Sequence, residues 1–168
     1  VNRLVATIFV LVNFLYFTNL IPPIPLAMRH SGIYFSVVRD GSDYRVVGEK
    51  IEWYEELPII STKTVHLRDG ETLYAFSSIF APTDLNTNIV HDWQYFDQGI
   101  GGWVSVTKVN FNISGGRNDG YRTFSKKESL FVGKWRVDVK TRSGQIIGRM
   151  RFDVEITDIP PVLEEKIL

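Results

Sequence analysis

Two hydrophobicity patterns divide the chain, and one gives way to the other near Gly32. From Leu4 to Ile21 the sequence reads LVATIFVLVNFLYFTNLI, an apolar run without a charged residue. About 20 helical residues cross a bilayer core of about 30 Å, so this run predicts a transmembrane helix. The proline-rich residues 22–25 would end it, because proline lacks the amide hydrogen that a helix needs. A buried core helix is the alternative, but aromatic residues near the exit favour a lipid interface.

After Gly32, apolar and polar residues alternate in short runs that are separated by turn signals such as Asp40-Gly41. Alternation with period two predicts strands with one buried face. Many short strands with regular turns predict a mainly β fold, an immunoglobulin-like antiparallel β-sandwich preceded by one transmembrane α-helix. Outside the two hairpins described next, strands are predicted at residues 33–39, 44–47, 63–67 and 72–80.

The clearest hairpin lies near the C-terminus, where two strongly alternating runs flank Ser143-Gly144. If these two residues form the whole loop, Trp135 lies opposite Phe152 on an apolar face. The same register places Asp138 opposite Arg149 on the outer face, which gives these charges a structural explanation.

A second hairpin is predicted from residues 88–96 and 103–109, joined by the glycine-rich residues 97–102. Its buried face is expected to carry Ile89, His91, Trp93 and Tyr95, with the last two packed against Val104 and Val106.

The domain organisation follows from these patterns. We expect a transmembrane helix and proline-rich exit in residues 1–30, strands packed on or beside the sandwich in 31–71, the β-sandwich domain in 72–157 and a tail in 158–168. No helix beyond the first is predicted, although residues 53–57 and 162–168 could each form a helical turn or two. Because the chain begins with Val rather than Met, we interpret it as the C-terminal piece of a longer protein.

Composition excludes several classes of function. The 168 residues contain 19 Lys plus Arg, 19 Asp plus Glu, three His and no Cys. A chain without cysteine has no disulfide framework and no thiolate metal site. Without a basic excess or a recognition motif, we expect no nucleic-acid partner.

Several short motifs occur in order along the second half of the chain. They are FSSIFAPTDLNTNIVHDW at residues 76–93, Gly102-Trp103, SGGRNDGYR at 114–122 and GKWRVDV at 133–139. In these motifs the chain resembles a bacterial family, the domain of unknown function 2914, over about Thr72 to Ile156. The resemblance implies a soluble domain behind several membrane helices and brings no catalytic or ligand-binding residues with it.

Two groups of residues are candidates for ligand binding. The glycine-rich loop from Ser114 to Arg122 could present backbone amides and guanidinium groups to an anion, or be an irregular connection pinned by its own side chains. Its candidate residues are Arg117, Asn118, Asp119, Tyr121 and Arg122.

The second candidate is an aromatic pair. The hairpin register sets Phe96 opposite Trp103 on the face away from the core. Such a pair would form a stacking platform for sugar rings or for a partner's apolar side chain. Alternatively, a second layer around Trp53 and Tyr54 covers it and makes it core.

One grouping invites an enzymatic interpretation, namely His91-Asp92 with His66 and Asp84. Its spacing matches no metal motif, and a histidine on an apolar strand face is more often a hydrogen-bonded core residue. No nucleophile motif occurs, so we expect no catalytic residue, metal or cofactor.

These observations favour a non-catalytic binding or interaction module for an envelope component or a protein partner, acting through loops at one end of the sandwich. The alternatives are a structural or assembly domain that supports upstream membrane helices, and an enzyme of unrecognised mechanism. The expected partners are the lipid bilayer, through Leu4 to Ile21, and a protein or glycan. We expect a membrane location with the soluble domain extracytoplasmic, by analogy with other tethered sandwiches.

Overall fold

The computed structural model describes residues 2–18, 26–50, 63–80, 87–113 and 120–168, which form one helix and eleven strands. In chain order the elements are α1 (Asn2–Phe17), β1 (Ala27–Tyr34), β2 (Ser36–Asp40), β3 (Asp43–Glu49), β4 (Lys63–Leu67), β5 (Leu73–Phe80), β6 (Thr87–Asp97), β7 (Gly102–Ile113), β8 (Tyr121–Lys127), β9 (Gly133–Thr141), β10 (Ile146–Ile156) and β11 (Leu163–Ile167). The predicted mainly β fold is therefore confirmed.

The predicted transmembrane helix from Leu4 to Ile21 is not supported. Helix α1 has 16 residues and ends at Phe17, whereas a bilayer core needs about 20 helical residues. In the ranges that the structure describes, no helix is both long enough and apolar enough to cross a membrane. The proline-rich exit at residues 22–25 lies outside those ranges.

Three sheets stack as layers. The middle sheet has the strand order β1-β5-β8, the five-stranded sheet has the order β4-β10-β9-β6-β7, and the third sheet has the order β11-β3-β2. All pairings are antiparallel except that of β4 with β10. The middle and five-stranded sheets form the sandwich, and the third sheet packs on the other side of the middle sheet.

Strand β5 shows why the middle sheet can bury both faces. Its side chains alternate, so Ala75 and Ile79 face the five-stranded sheet while Phe76 faces the third sheet. The first core is built largely from aromatic and aliphatic side chains, among them Trp93, Trp135, Phe152, Val137 and Leu67. The second core is smaller and contains Val37, Tyr44, Val46 and Phe76.

The β9–β10 hairpin has the predicted register but not the predicted loop. Trp135 pairs with Phe152, and these side chains are 1% and 0% exposed. The amide of Thr141 donates to the carbonyl of Gln145 at 2.9 Å, so the loop is longer than two residues. An irregularity in the ladder between Ile146 and Gly148 compensates for the longer loop and restores the predicted pairs.

The β6–β7 hairpin is also confirmed, with one correction. Val106 was expected in the core, but its side chain is 43% exposed. The reason is a bulge, since Trp93 pairs with Thr107 and the next residue, Gln94, pairs with Ser105. Val106 is the extra residue and is left without a partner in the ladder.

The C-terminal residues, which could have formed a helical turn or two, form a strand. Strand β11 pairs with β3 from Leu163↔Glu49 to Ile167↔Arg45. The other segment that could have formed a helical turn, residues 53–57, lies outside the described ranges.

Candidate functional site

Three rows of side chains cross the face of the five-stranded sheet that points away from the core, here called the outer face. In the strand order β7, β6, β9 and β10 the rows are Trp103, Phe96, Lys134, Asp153; then Ser105, Gln94, Arg136, Arg151; then Lys108, Asp92, Asp138, Arg149. Because successive side chains of a strand point to opposite faces of the sheet, these polar and aromatic residues lie on one face and the apolar core residues lie on the other.

Two carboxylates on the outer face are almost fully covered. Asp92 and Asp138 lie directly opposite each other in the ladder and are 2% and 3% exposed. Lys140 Nζ donates to Asp92 Oδ2 at 2.6 Å, while Arg149 donates through two nitrogens to Asp138. Because both acids have cationic partners, two like charges can lie next to each other on neighbouring strands.

The electrostatics of Asp92 reflect this arrangement. Burial acts to raise the pKa of its carboxyl group, but hydrogen bonds from Lys140, Ser105 and Gln94 outweigh burial and hold the pKa below its usual value. The carboxylate of Asp92 is therefore charged, and its oxygens accept hydrogen bonds from neighbouring side chains of the sheet. The predicted pairing of Asp138 with Arg149 is confirmed, and the two side chains form an ion pair.

Phe96 and Trp103 lie opposite each other on the outer face, as predicted. Their ring centroids are 5.4 Å apart at an angle of 70°, and both residues are half-buried. The guanidinium carbon of Arg136 lies 4.4 Å from the centroid of Trp103, a cation–π contact that covers one face of the indole ring. Trp53 and Tyr54, the predicted covering layer, lie outside the described residues.

A cleft of about 630 Å³ opens at the end of the sandwich next to this pair and is called the end cleft. It lies between the β6–β7 turn, the segment that leads into β9 and the end of β10, and its lining includes Phe96, Asp97, Phe131, Val132, Lys134 and Asp153. Phe131 and Val132 are 49% and 61% exposed, so apolar surface faces the open space.

Core contacts hold the apolar wall of the end cleft in place. The indole nitrogen of Trp135 donates to the carbonyl of Phe131 at 2.9 Å. The Phe131 ring packs on Tyr95 and on Trp135, with centroid distances of 5.0 and 4.9 Å. The exposed Phe131 ring is therefore held in a defined position by its contacts with the buried side chain of Trp135.

The polar wall of the end cleft contains an unusual carboxylate. Asp153 lies opposite Lys134 in the ladder. Its Oδ1 atom is buried, and no hydrogen-bond donor from the described part of the chain reaches it. A buried acceptor without a donor is uncommon in folded proteins.

The predicted anion-binding loop is only partly described. Arg117, Asn118 and Asp119 lie outside the described residues. Tyr121 packs against the first core, whereas Arg122 donates to the carbonyl of Ser42 at 2.9 Å. These two neighbouring side chains of β8 point to opposite faces of the middle sheet, as the alternation of a strand requires.

His91 is a core residue, as the sequence pattern suggested. It is fully buried and bonds Ser77 Oγ through Nε2 at 2.8 Å and Ser125 Oγ through Nδ1 at 2.9 Å. Burial lowers the pKa of His91 to about 4, so the imidazole is neutral at pH 7. The neighbouring Asp92 faces the opposite side of the sheet, and Asp84 lies outside the described residues.

Sequence reasoning identified Phe96 but missed Phe131, Val132 and Asp153. A signal for the first two was present, since Leu130-Phe131-Val132 is an apolar run between the polar residues 125–129 and Gly133. Asp153 is one of the charged residues that alternate with apolar residues along the last predicted strand of the sandwich. Nothing in its sequence neighbourhood distinguishes it from the other outer-face charges.

Comparisons with known proteins find one family that part of the chain is similar to. The model of the family described as "Protein of unknown function (DUF2914)" matches residues 86–154, which confirms the resemblance over that part of the chain. No curated protein matches.

The solved structures that are similar to this chain include two from Pseudomonas species. One is the alkylpurine DNA glycosylase AlkC of Pseudomonas fluorescens bound to DNA containing an abasic site analog, with 11% identity and a TM-score of 0.47 over 78% of this chain and 30% of that one. The other is an immunoglobulin-like protein from Pseudomonas aeruginosa, with 13% identity and a TM-score of 0.40 over 77% of this chain and 96% of that one. The chain thus spans less than a third of the length of the glycosylase structure.

Proposed function

We propose that the β-sandwich is a non-catalytic binding module that recognises an envelope component or a protein partner at its end cleft. The observation that carries the proposal is an open cleft of about 630 Å³ in which the apolar side chains of Phe131 and Val132 are exposed. Concave sites with apolar walls and a few polar groups are the usual form of a ligand site.

Preorganisation supports this proposal. The wall residue Phe131 is held by Trp135, a side chain that is 1% exposed. On the opposite side, Asp97 fixes the β6–β7 turn by accepting from the amides of Gly99 and Ile100 at 2.8 and 3.1 Å. A site whose walls are already ordered loses little conformational entropy when it binds.

The chemistry of the described residues favours binding over catalysis. The most strongly perturbed histidine, His91, is fully buried between hydroxyl groups and cannot contact a substrate. The carboxylates of Asp92 and Asp138 form ion pairs with Lys140 and Arg149. The end cleft itself offers stacking surface and charge, which are the elements of recognition.

A matched pair of variants tests the proposal. The full chain would be screened against an array of bacterial envelope glycans and a peptide library, and each hit measured with Val132→Ser and Val162→Ser. Both valines are highly exposed, at 61% and 71%, but only Val132 lines the end cleft. We expect at least one ligand whose affinity falls by about fivefold or more in Val132→Ser and is unchanged in Val162→Ser. Failure to find any ligand, or hits that respond equally to both variants, would overturn the proposal.

A further inference from the structure

A second cavity, of about 320 Å³, opens where the three sheets meet and is called the three-sheet cavity. Its walls come from β1 of the middle sheet, from β3 and β11 of the third sheet and from β4 and β10 of the five-stranded sheet. It shares no lining residue with the end cleft, so a ligand bound here is independent of the proposed function. Its described lining includes four basic residues and two acidic ones, namely Lys63, Arg149, Arg151, Lys166, Glu49 and Glu164.

Lys63 is a half-buried cation without a partner. It begins β4 and lies on the same face of that strand as Val65 and Leu67, which are both 1% exposed in the first core. No hydrogen bond and no ion pair within 4.0 Å joins its ammonium group to another described residue. Burial lowers the pKa of Lys63, although the charge of Glu49 acts to raise it. An unpaired cation in this position costs free energy that an anionic ligand would offset.

The ammonium nitrogen of Lys63 is also within reach of a ligand. In the described part of the chain, the side-chain atoms that are both fully enclosed and unpartnered are Tyr121 Oη and Asp153 Oδ1. Lys63 Nζ is unpartnered but is not one of them, so it retains accessible surface.

The acids that line the three-sheet cavity already have partners. Glu49 accepts from the amide of His66 at 3.3 Å through one oxygen and from the ring nitrogen Nδ1 at 2.6 Å through the other. Glu164 forms an ion pair of 3.4 Å with Lys166. Neither carboxylate lies within ion-pair distance of Lys63. The charge of Lys63 is therefore left for an external anion.

Tyr34 adds a second free donor to the cavity. A Cβ atom on Gly32 would lie 2.6 Å from the Tyr34 hydroxyl oxygen, and one on Gly48 would lie 3.2 Å from its ring, so glycine at both positions makes room for this side chain. The hydroxyl has no hydrogen-bond partner among the described residues and, like Lys63 Nζ, is not fully enclosed. Burial raises the pKa of Tyr34, so the hydroxyl is protonated at neutral pH and can donate.

We propose that the three-sheet cavity binds a phosphate monoester group. The ammonium group of Lys63 and the hydroxyl group of Tyr34 donate to its oxygens, and Lys166 adds positive charge from a third strand. A phosphate offers three acceptor oxygens to donors that arrive from separate strands. A carboxylate is best matched by the planar fork of an arginine, and the fork of Arg149 is already bonded to Asp138.

The size and the apolar part of the cavity favour an organic phosphate over a bare ion. A volume of about 320 Å³ lies at the lower end of the range for small-molecule sites, which is roughly 300–1,000 Å³. Ile33 and Met150, which are 5% and 7% exposed, contribute apolar lining. The organic part of the ester would pack against these side chains.

The test titrates the full chain, at constant ionic strength, with glycerol 3-phosphate, uncharged glycerol and acetate. Binding is followed by the amide resonances of Gly32 and Gly48, which line the cavity, with Gly144 of the β9–β10 loop as a reference that does not. We expect glycerol 3-phosphate to shift Gly32 and Gly48 but not Gly144, and to bind at least about tenfold more tightly than acetate. Glycerol should cause no shift.

Matched variants separate the site from general attraction between charges. Lys63→Met keeps the apolar stem and should weaken glycerol 3-phosphate binding about tenfold, whereas Lys108→Met, at an exposed lysine that does not line the cavity, should leave it unchanged. Tyr34→Phe removes one neutral hydrogen bond and should weaken binding about threefold. Equal effects of the two lysine variants, or acetate binding as tightly as glycerol 3-phosphate, would overturn the inference.

A lipid headgroup is the other source of this chemistry, since phosphatidate also ends in a phosphate monoester. Sedimentation with phosphatidylcholine vesicles, with and without phosphatidate, distinguishes the two sources. We expect the increase in binding that phosphatidate causes to be the same in the parent and in Lys63→Met. Loss of that increase in Lys63→Met, with no binding of glycerol 3-phosphate, would support the site and assign it to a lipid. No binding of glycerol 3-phosphate and no effect of Lys63→Met on vesicle binding would overturn the inference.

Discussion

His91 shows how a polar residue is accommodated between two apolar sheets. A neutral imidazole donates through one nitrogen and accepts through the other. The indole N–H of Trp93 donates to Ser125 Oγ at 2.9 Å, which leaves the Ser125 hydroxyl free to donate to His91 Nδ1. His91 Nε2 then donates to Ser77, whose hydroxyl lies 3.2 Å from that of Thr123. Every polar atom of this cluster has a partner, which is the condition for burying it at low cost.

The buried position of His91 predicts a pH dependence of stability. Its folded-state pKa of about 4 lies below the ordinary value of 6.5, so between these pH values the unfolded chain binds a proton that the folded chain does not. The free energy of unfolding should therefore fall as the pH decreases from about 6.5 to about 4, by about 3 kcal/mol in total. Urea unfolding at a series of pH values measures this.

His91→Gln is the control for that experiment, because glutamine keeps a donor and an acceptor but does not titrate. We expect this variant to be less stable at pH 7 and to lose most of the pH dependence between 6.5 and 4. An unchanged pH profile in the variant would show that other groups cause it.

At the scale of elements, the β9–β10 hairpin was the most predictable part of the chain. Its register followed from strict alternation, because a slip by one residue would move Trp135 and Phe152 to the outer face. The loop was less predictable. A longer loop and an irregularity at residues 146–148 together give the same register as a two-residue loop, and hydrophobic pattern alone does not distinguish the two solutions.

Three strands were not predicted from the sequence, and the reason can be identified for each. Strand β11 has the sequence LEEKI, and all five of its residues are exposed, so it lacks a buried face and contains good helix formers. Strands β1 and β8 have few fully buried side chains and follow regions without strand pattern. Edge positions and partial burial remove the alternation that a sequence reading depends on.

Trp135→Ala tests the hairpin core. Trp135 is 1% exposed and contacts Phe131 and Tyr95, so its truncation should lower the free energy of unfolding by about 3–5 kcal/mol. Trp103→Ala, in the same sheet but half-buried on the outer face, should cost roughly half as much. Equal losses in thermal or urea unfolding would contradict the assignment of the two faces.

At the scale of the whole molecule, the end cleft depends on residues that are far apart in sequence. Residues 95–99, 131–134 and 153–155 meet only because β6, β9 and β10 are neighbours in one sheet. The sequence reading obtained the register of each hairpin but not the β6–β9 pairing that joins them. It therefore found Phe96 as an isolated candidate and missed the opposite wall of the site.

The three-layer arrangement makes β11 a stabilising part of the fold, although its side chains are exposed. Leu168 and Tyr44 exchange backbone hydrogen bonds of 2.9 and 3.1 Å, and the amide of Lys50 donates to the carbonyl of Val162. In an antiparallel ladder, pairs of residues that exchange backbone hydrogen bonds alternate with pairs that do not. Lys166 and Val46 therefore form a hydrogen-bonded pair, whereas the amide of Glu165 points away from β3. Val46 is fully buried in the second core.

Proline at these two neighbouring positions should therefore have different effects. Lys166→Pro removes the donor to the carbonyl of Val46, whereas Glu165→Pro removes an amide that faces away from the sheet, a position where edge strands tolerate proline. Glu165→Pro also loses an exposed ion pair with Arg45, which contributes about 0–1 kcal/mol. We expect Lys166→Pro to lower the free energy of unfolding by about 1–3 kcal/mol more than Glu165→Pro and to speed amide exchange at Val46 and Val47. Equal stability and equal exchange in the two variants would show that β11 does not hold the third sheet in place.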